Sequence, residues 1–230
     1  MKANGWIAYT GPSLLDGKPI VVVVTGFARR SKNPKTGNAL QAYILRKNVS
    51  PVSACKSRGD RSVCGDCPLR SRGCYVRVYQ APQQVYNAYR RGSHTRTIPA
   101  RERWATRTIR LGAYGDPSAV PTSVWRRMTA LADGWTGYTH TPRRGITDLC
   151  MVSVESLQAK AKAKARGQRT FRIIRSADQL QRDEILCPAS VEAGQLTTCE
   201  RCRLCDGANA RKSIAIVAHG RSRKQVQIGV

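Results

Sequence analysis

The residues best suited to chemistry in this chain are its cysteines. Cys64-Gly-Asp-Cys67 is followed by Cys74, and Cys187-Pro188 is answered by Cys199, Cys202 and Cys205, so seven of the nine cysteines fall in two groups. A short-spaced pair arises by chance, whereas three thiols in a tight run with a distant Cys-Pro match what a soft, polydentate ligand requires. The pattern predicts one or two metal centres. For Cys64, Cys67 and Cys74 the readings are an iron–sulfur cluster, a structural zinc site completed by Cys55, and unconnected reduced thiols. Cys187, Cys199, Cys202 and Cys205 supply four sulfurs, enough for an auxiliary cluster or for zinc. Arg201 and Arg203 stand beside them in sequence, where their charge would offset an anionic centre. Cys150, inside the apolar run Leu149 to Val154, reads as a core residue.

The segments that must position these groups follow a mixed pattern. Ile20 to Gly26 and Leu40 to Arg46 read as strands joined across a turn-rich, basic stretch from Ser31 to Asn38, which predicts an N-terminal β-hairpin. Ser57 to Gly73 reads as a loop carrying the first cysteines. A helix is expected next, with Pro82 in its first turn, Val85, Tyr86 and Tyr89 on one face, and Gly92 at its end. Strands are expected at 108–112, 135–140, 149–154, 170–175, 184–187 and 213–217. Helices are expected at 121–133 and 157–166, the second from its Ala and Lys content with Gly167 as its stop.

This alternation predicts an α/β fold, either a partial (β/α) barrel or an open, mainly parallel sheet, with Cys-rich metal-binding loops. Three segments are expected in one continuous domain: 1–56 with the hairpin, 57–198 as the α/β core, and 199–230 with the last cysteines and the final strand. Ligands of such sheets gather at the carboxyl ends of the strands. Gly115-Asp116-Pro117, His140 and Glu155 fall there, which makes His140 and Glu155 candidates for moving a proton.

The order of cysteine loop, helix, strand ending in Gly-Asp-Pro and successive βα units resembles the radical S-adenosylmethionine enzymes, in particular radical-SAM-like families of phages. The resemblance spans roughly residues 60 to 190. It implies that Cys64, Cys67 and Cys74 hold a 4Fe-4S cluster, and that Tyr75, beside the last of them, and Gly115, Asp116 and Pro117 contact S-adenosylmethionine. Three protein ligands leave one iron open to that cofactor. The spacing here is Cys-x2-Cys-x6-Cys, where the family commonly has Cys-x3-Cys-x2-Cys. A phage origin implies a bacterial cytoplasm.

Forty Lys and Arg against fourteen Asp and Glu give a formal charge of +26, a field that attracts polyanions. Arg90, Arg91, Arg96, Arg101, Arg103 and Arg107, interleaved with Tyr86, Tyr89 and Trp104, are the candidate nucleic-acid contacts, gripping phosphates and stacking on bases. Lys160, Lys162, Lys164 and Arg166 read as a charged exterior. The absence of a signal peptide and of any apolar run long enough to span a bilayer predicts no membrane partner and a reduced, intracellular setting for the thiols. P-loop, dinucleotide-fingerprint, nucleophile-elbow and His-Glu-x-x-His patterns are missing, so those enzyme classes lose support. Two readings remain: a radical-SAM-like metalloprotein modifying nucleic acid or a protein bound to it, and a non-enzymatic, zinc-stabilised nucleic-acid-binding protein.

Overall fold

A computed structural model describes residues 3–31, 33–70, 73–207 and 211–219. Among the described residues nine strands form one open sheet in the order β1-β2-β3-β4-β5-β6-β7-β9-β8. They are β1 (Gly5–Pro12), β2 (Pro19–Thr25), β3 (Leu40–Arg46), β4 (Thr108–Tyr114), β5 (Gly134–Thr139), β6 (Met151–Val154), β7 (Thr170–Ile174), β8 (Glu184–Leu186) and β9 (Ser213–Val217). The sheet draws strands from all three expected segments. The last part of the third segment, 220–230, lies outside the described residues.

β2 and β3 pair antiparallel from Ile20 opposite Arg46 to Thr25 opposite Gln41, as the two apolar runs and their turn-rich link predict. Ile20 to Val24 are fully buried, and each such side chain contributes about 1.5–3 kcal/mol by leaving water. β1 was not expected. Its Gly5, Gly11 and Pro12 weaken the strand signal, and it pairs along β2 with an irregularity between Ile7 and Tyr9. From β3 onward every pairing is parallel. Neighbours progress in one direction from β3 to β7, without the reversal that makes a switch-point crevice in doubly wound sheets.

Among the described residues six α-helices connect the strands: α1 (Pro51–Lys56), α2 (Arg61–Cys64), α3 (Ala81–Arg90), α4 (Thr122–Leu131), α5 (Leu157–Lys164) and α6 (Cys199–Cys202). α1 and α2 are too short for a periodic signal; α1 precedes the expected loop and α2 lies within it. Ser50 caps α1 and Ser156 caps α5 through their side chains. α4 buries Trp125 and Met128. α5 packs on β6 and β7 with Ala163 against Val152 and Val154. On the opposite face Met151, Ile173, Ile214 and Ile216 form a second cluster with Leu69, Cys67, Cys187, Cys199 and Cys205. Period-two alternation therefore assigns α5 to one face of these strands and the cysteines to the other.

Lys160 corrects the reading of α5 as an exterior helix: it is 5% exposed. Its Nζ lies 2.6 Å from Asp183 Oδ1 and 3.2 Å from Glu184 Oε1, and Arg172 donates two bonds to Glu184 at 2.8 and 2.6 Å. This buried ion cluster ties α5 and β7 to β8, the strand that leads into Cys187. No helix among the described residues is long and apolar enough to cross a membrane.

Candidate metal centres

The chain enters the first cysteine set directly from the carboxyl end of β3. Val63 and Cys64 end α2, and the Gly-Asp-Pro turn at the end of β4 is pressed against them: the Asp116 amide donates to the Val63 carbonyl at 2.6 Å. Gly115 has φ +87°, and a Cβ there would stand 2.8 Å from Ile44 Cβ and 3.0 Å from Val63 O. A glycine is required on both counts.

Asp116 is buried and its carboxylate is fully engaged. Oδ1 accepts from the Ser118 amide at 2.9 Å and the Thr139 hydroxyl at 2.7 Å, and Oδ2 accepts from the His140 amide at 2.8 Å. The side chain thus ties the end of β4 to the end of β5. This tie places His140, whose Nε2 lies 2.7 Å from Glu155 Oε1 and 3.9 Å from Cys67 Sγ. Both candidates for proton transfer therefore meet at adjacent strand ends beside a cysteine. Burial opposes a charge on His140, but Cys67 and Glu155 outweigh it and push its pKa up to about 10.

The thiols of this set sense one another. Burial pushes the Cys64 thiol well up, and Asp60, Cys74, Cys67 and Cys55 add to the shift. Burial and then Asp60 push Cys55 up to about 11. Cys55 Sγ contacts Asp60 Oδ2 at 3.6 Å and Tyr114 Oη at 3.9 Å. Asp60, which the spacing of cysteines did not single out, is 2% exposed, and its Oδ1 makes no hydrogen bond; Arg70 Nε stands 3.8 Å away. Thiols beside a carboxylate oxygen are donor types that a borderline metal takes, and here Arg70 is the cation that faces that carboxylate.

The second set covers the cysteine-bearing face of the sheet. Cys187, Cys199, Cys202 and Cys205 line one small pocket with Thr136 and Tyr138 of β5 and Ile214 of β9. The Gly137 amide donates to the Cys205 carbonyl at 2.8 Å, and the Cys199 amide to Lys35 O at 2.8 Å. Burial pushes up the Cys205 thiol; Tyr138 opposes this, and the other three cysteines reinforce it. The pocket is lined by four thiols and no carboxylate, which are the donor types of a four-sulfur site. Among the described residues no group of three or more His, Cys, Asp or Glu side chains stands ready-made around a metal position. All nine cysteines are free. Cys150, 1% exposed, is a core residue as expected.

Arg110 of β4 joins the two sets. Its guanidinium donates to Tyr75 Oη and lies 5.8 Å from the centre of that ring. Tyr75, Tyr138 and Cys199 hold it in the charged form against the cost of burial. The same charge lowers the pKa of Cys74, though desolvation pushes that thiol up overall. Tyr75 itself is 44% exposed and its ring lies 5.6 Å from that of His219. Arg110 sits within a strand whose pattern gave no reason to separate it from surface arginines.

The arginine stretch is located elsewhere. α3 carries the chain back to the amino ends of the parallel strands, and residues 91–107 cross there before β4 begins. Tyr86 and Trp104 are buried at 8% and 0%, so the expectation that they stack on bases is corrected: they are core anchors. Arg107 is also structural. It donates to the carbonyls of Gly26 and Asn38 and to the Asn38 side chain at 2.6–3.1 Å, riveting the loop to the base of the hairpin. Arg90, Arg91, Arg96 and Arg101 are exposed. Comparison with family models, curated proteins and solved structures finds no match to this chain.

Proposed function

We propose that this protein is a radical-SAM-like iron–sulfur metalloprotein of phage type, built as a partial β/α barrel and acting on nucleic acid or on a protein bound to it. The observation that carries the reading is the contact between the Gly-Asp-Pro turn after the second parallel strand and the cysteine segment after the first. In that arrangement Cys64, Cys67 and Cys74 hold the 4Fe-4S cluster. When bound, the cluster with S-adenosylmethionine supplies one-electron cleavage of the sulfonium.

This chain's own residues then have distinct tasks. The backbone around Gly115 and Pro117 cradles the amino-acid part of the cofactor, and Tyr75 borders it. Asp116 shapes that turn from beneath, because its oxygens are committed to Ser118, Thr139 and His140. His140 and Glu155 hold a proton between them at the strand ends. Cys187, Cys199, Cys202 and Cys205 hold a second metal that fastens the C-terminal segment to the sheet.

The 3.9 Å approach of His140 Nε2 to Cys67 Sγ favours one competing reading. With His140 or Cys55 as fourth ligand, the first set closes as a structural zinc site in a non-enzymatic nucleic-acid-binding protein. Anaerobic purification followed by metal and acid-labile sulfide analysis separates the two. Iron with matching sulfide, and an electron paramagnetic resonance signal that shifts when S-adenosylmethionine is added, is the expected result. Zinc without sulfide, with loss of one zinc in His140→Ala, overturns it.

A further inference from the structure

The basic residues that the metal sites leave unused converge from two distant stretches of sequence. Phe27, Trp6 and Trp104 form an aromatic knot at the amino ends of the parallel strands, with Trp104 5.0 Å from Phe27 and 5.6 Å from Trp6. The backbone of the arginine stretch is mounted on this knot: Trp6 Nε1 donates to Arg96 O at 3.3 Å, and Arg103 lies over the Phe27 ring at 5.4 Å. The hairpin link is mounted there too. The amides of Ala28 and Arg29 donate to the Asn4 side chain at 3.0 and 2.8 Å, and Arg107 rivets Gly26 and Asn38 to the opposing loop. Arg29, Arg30, Arg96 and Arg101 are exposed around it, and Arg103 is partly so.

The opposing acids are few. Glu102 is exposed within the stretch, and Glu200 is occupied by the Asn38 amide at 2.8 Å. The crowding of positive charge registers on Arg107, whose pKa is lowered first by burial and then by Arg30 and Arg103, against Glu200. All three aromatic rings of the knot are buried, so the surface offers charge without a stacking platform.

From this juxtaposition we infer that Arg29 and Arg30 of the hairpin link, together with Arg96, Arg101 and Arg103 of the loop before β4, form a binding surface for the phosphate backbone of duplex nucleic acid. The surface rests on the nucleic-acid part of the proposed function and locates it at the end of the sheet opposite the first cysteine set. It binds without reading bases, because contacts to phosphate alone carry no sequence information. α6 steadies it: Cys199 and Glu200 bond to Lys35 and Asn38 of the hairpin link. The second cysteine set is thereby coupled to the hairpin.

The test is fluorescence anisotropy of the full chain with a labelled DNA duplex of about 20 base pairs between 50 and 200 mM salt. About five phosphate contacts give a slope near −4.5 on log–log axes, roughly a 500-fold loss over that range. Arg29→Gln/Arg30→Gln, made on exposed positions away from the core, reduces the slope by about 2; Arg101→Gln does so by about 1. Lys162→Gln/Arg166→Gln, at exposed positions on α5 and just after it, leaves it unchanged. A steep wild-type slope with undiminished binding by the hairpin and loop variants overturns this surface while the nucleic-acid reading stands. A wild type that binds neither duplex nor single strands, or binds with a flat salt response, overturns both, as does binding to phosphatidylserine vesicles but not to DNA. A more than tenfold preference for single strands over the duplex overturns the backbone mode.

Discussion

Gly115→Ala tests whether the Gly-Asp-Pro turn is clamped to the first cysteine set. Two costs add at this position. With φ +87°, an alanine must adopt a left-handed backbone that disfavours a Cβ by about 1–2 kcal/mol. Its methyl would also meet Ile44 Cβ at 2.8 Å, Val63 O at 3.0 Å and Ile44 O at 3.2 Å, and overpacking of this kind costs about 1–3 kcal/mol. Gly92 separates the two, because its φ is +69° and nothing lies within 4 Å of a built Cβ. Gly92→Ala is expected to cost about 1–2 kcal/mol, and Gly115→Ala about 2–5 kcal/mol. For a domain of this size each kcal/mol lowers Tm by about 2–4 °C, so calorimetry or circular-dichroism melts resolve the difference. Metal content per chain is the second readout. Gly115→Ala should lower it because Val63, the neighbour of Cys64, must move, whereas Gly92→Ala should not. Equal destabilisation by the two substitutions, with metal content unchanged, refutes the clamp.

The buried ion cluster yields two further predictions. Glu184→Gln leaves Arg172 and Lys160, 3% and 5% exposed, without their shared carboxylate, a loss of about 3–5 kcal/mol; a cost below about 1 kcal/mol in denaturant melts would mean that the cluster is hydrated and contributes little. Because Lys160 and Lys164 hold Asp183 down to about 2 and Arg172 lowers Glu184, the stabilisation from these carboxylates is present above their unfolded pKa values and is lost as pH falls from about 5 toward 2. The Tm gap between wild type and Glu184→Gln should therefore narrow over that range, and a constant gap refutes the assignment.

Much of the scaffold is legible in the chain. The runs at 20–24 and 40–45 specify buried strands through apolar content interrupted only by Gln41, and the alternation that follows yields the parallel strands and helices α3, α4 and α5 near their expected positions. β1 escapes because glycine and proline at its two ends leave only a short run between them; it is a strand because β2 offers it an edge. The grouping of cysteines was visible as spacing, and the pocket shared by Cys187, Cys199, Cys202 and Cys205 follows that spacing.

By itself the sequence determined which groups are present: soft sulfur donors in two sets, an excess of 26 positive charges, and a βα alternation with few alternatives. Tertiary structure alone decided how those groups are used. Chemically similar side chains separated here because long-range partners differ: Arg107 became a rivet through the carbonyls of Gly26 and Asn38, Arg110 a half-buried cation bonded to Tyr75, and Arg101 stayed at the surface. Lys160 could enter the interior only because Asp183 and Glu184, more than twenty residues later, neutralise it there. Local pattern encodes hydrophobic burial, which depends on a residue's own surface. The fate of a charge depends on its partner, and partners are assigned by the fold.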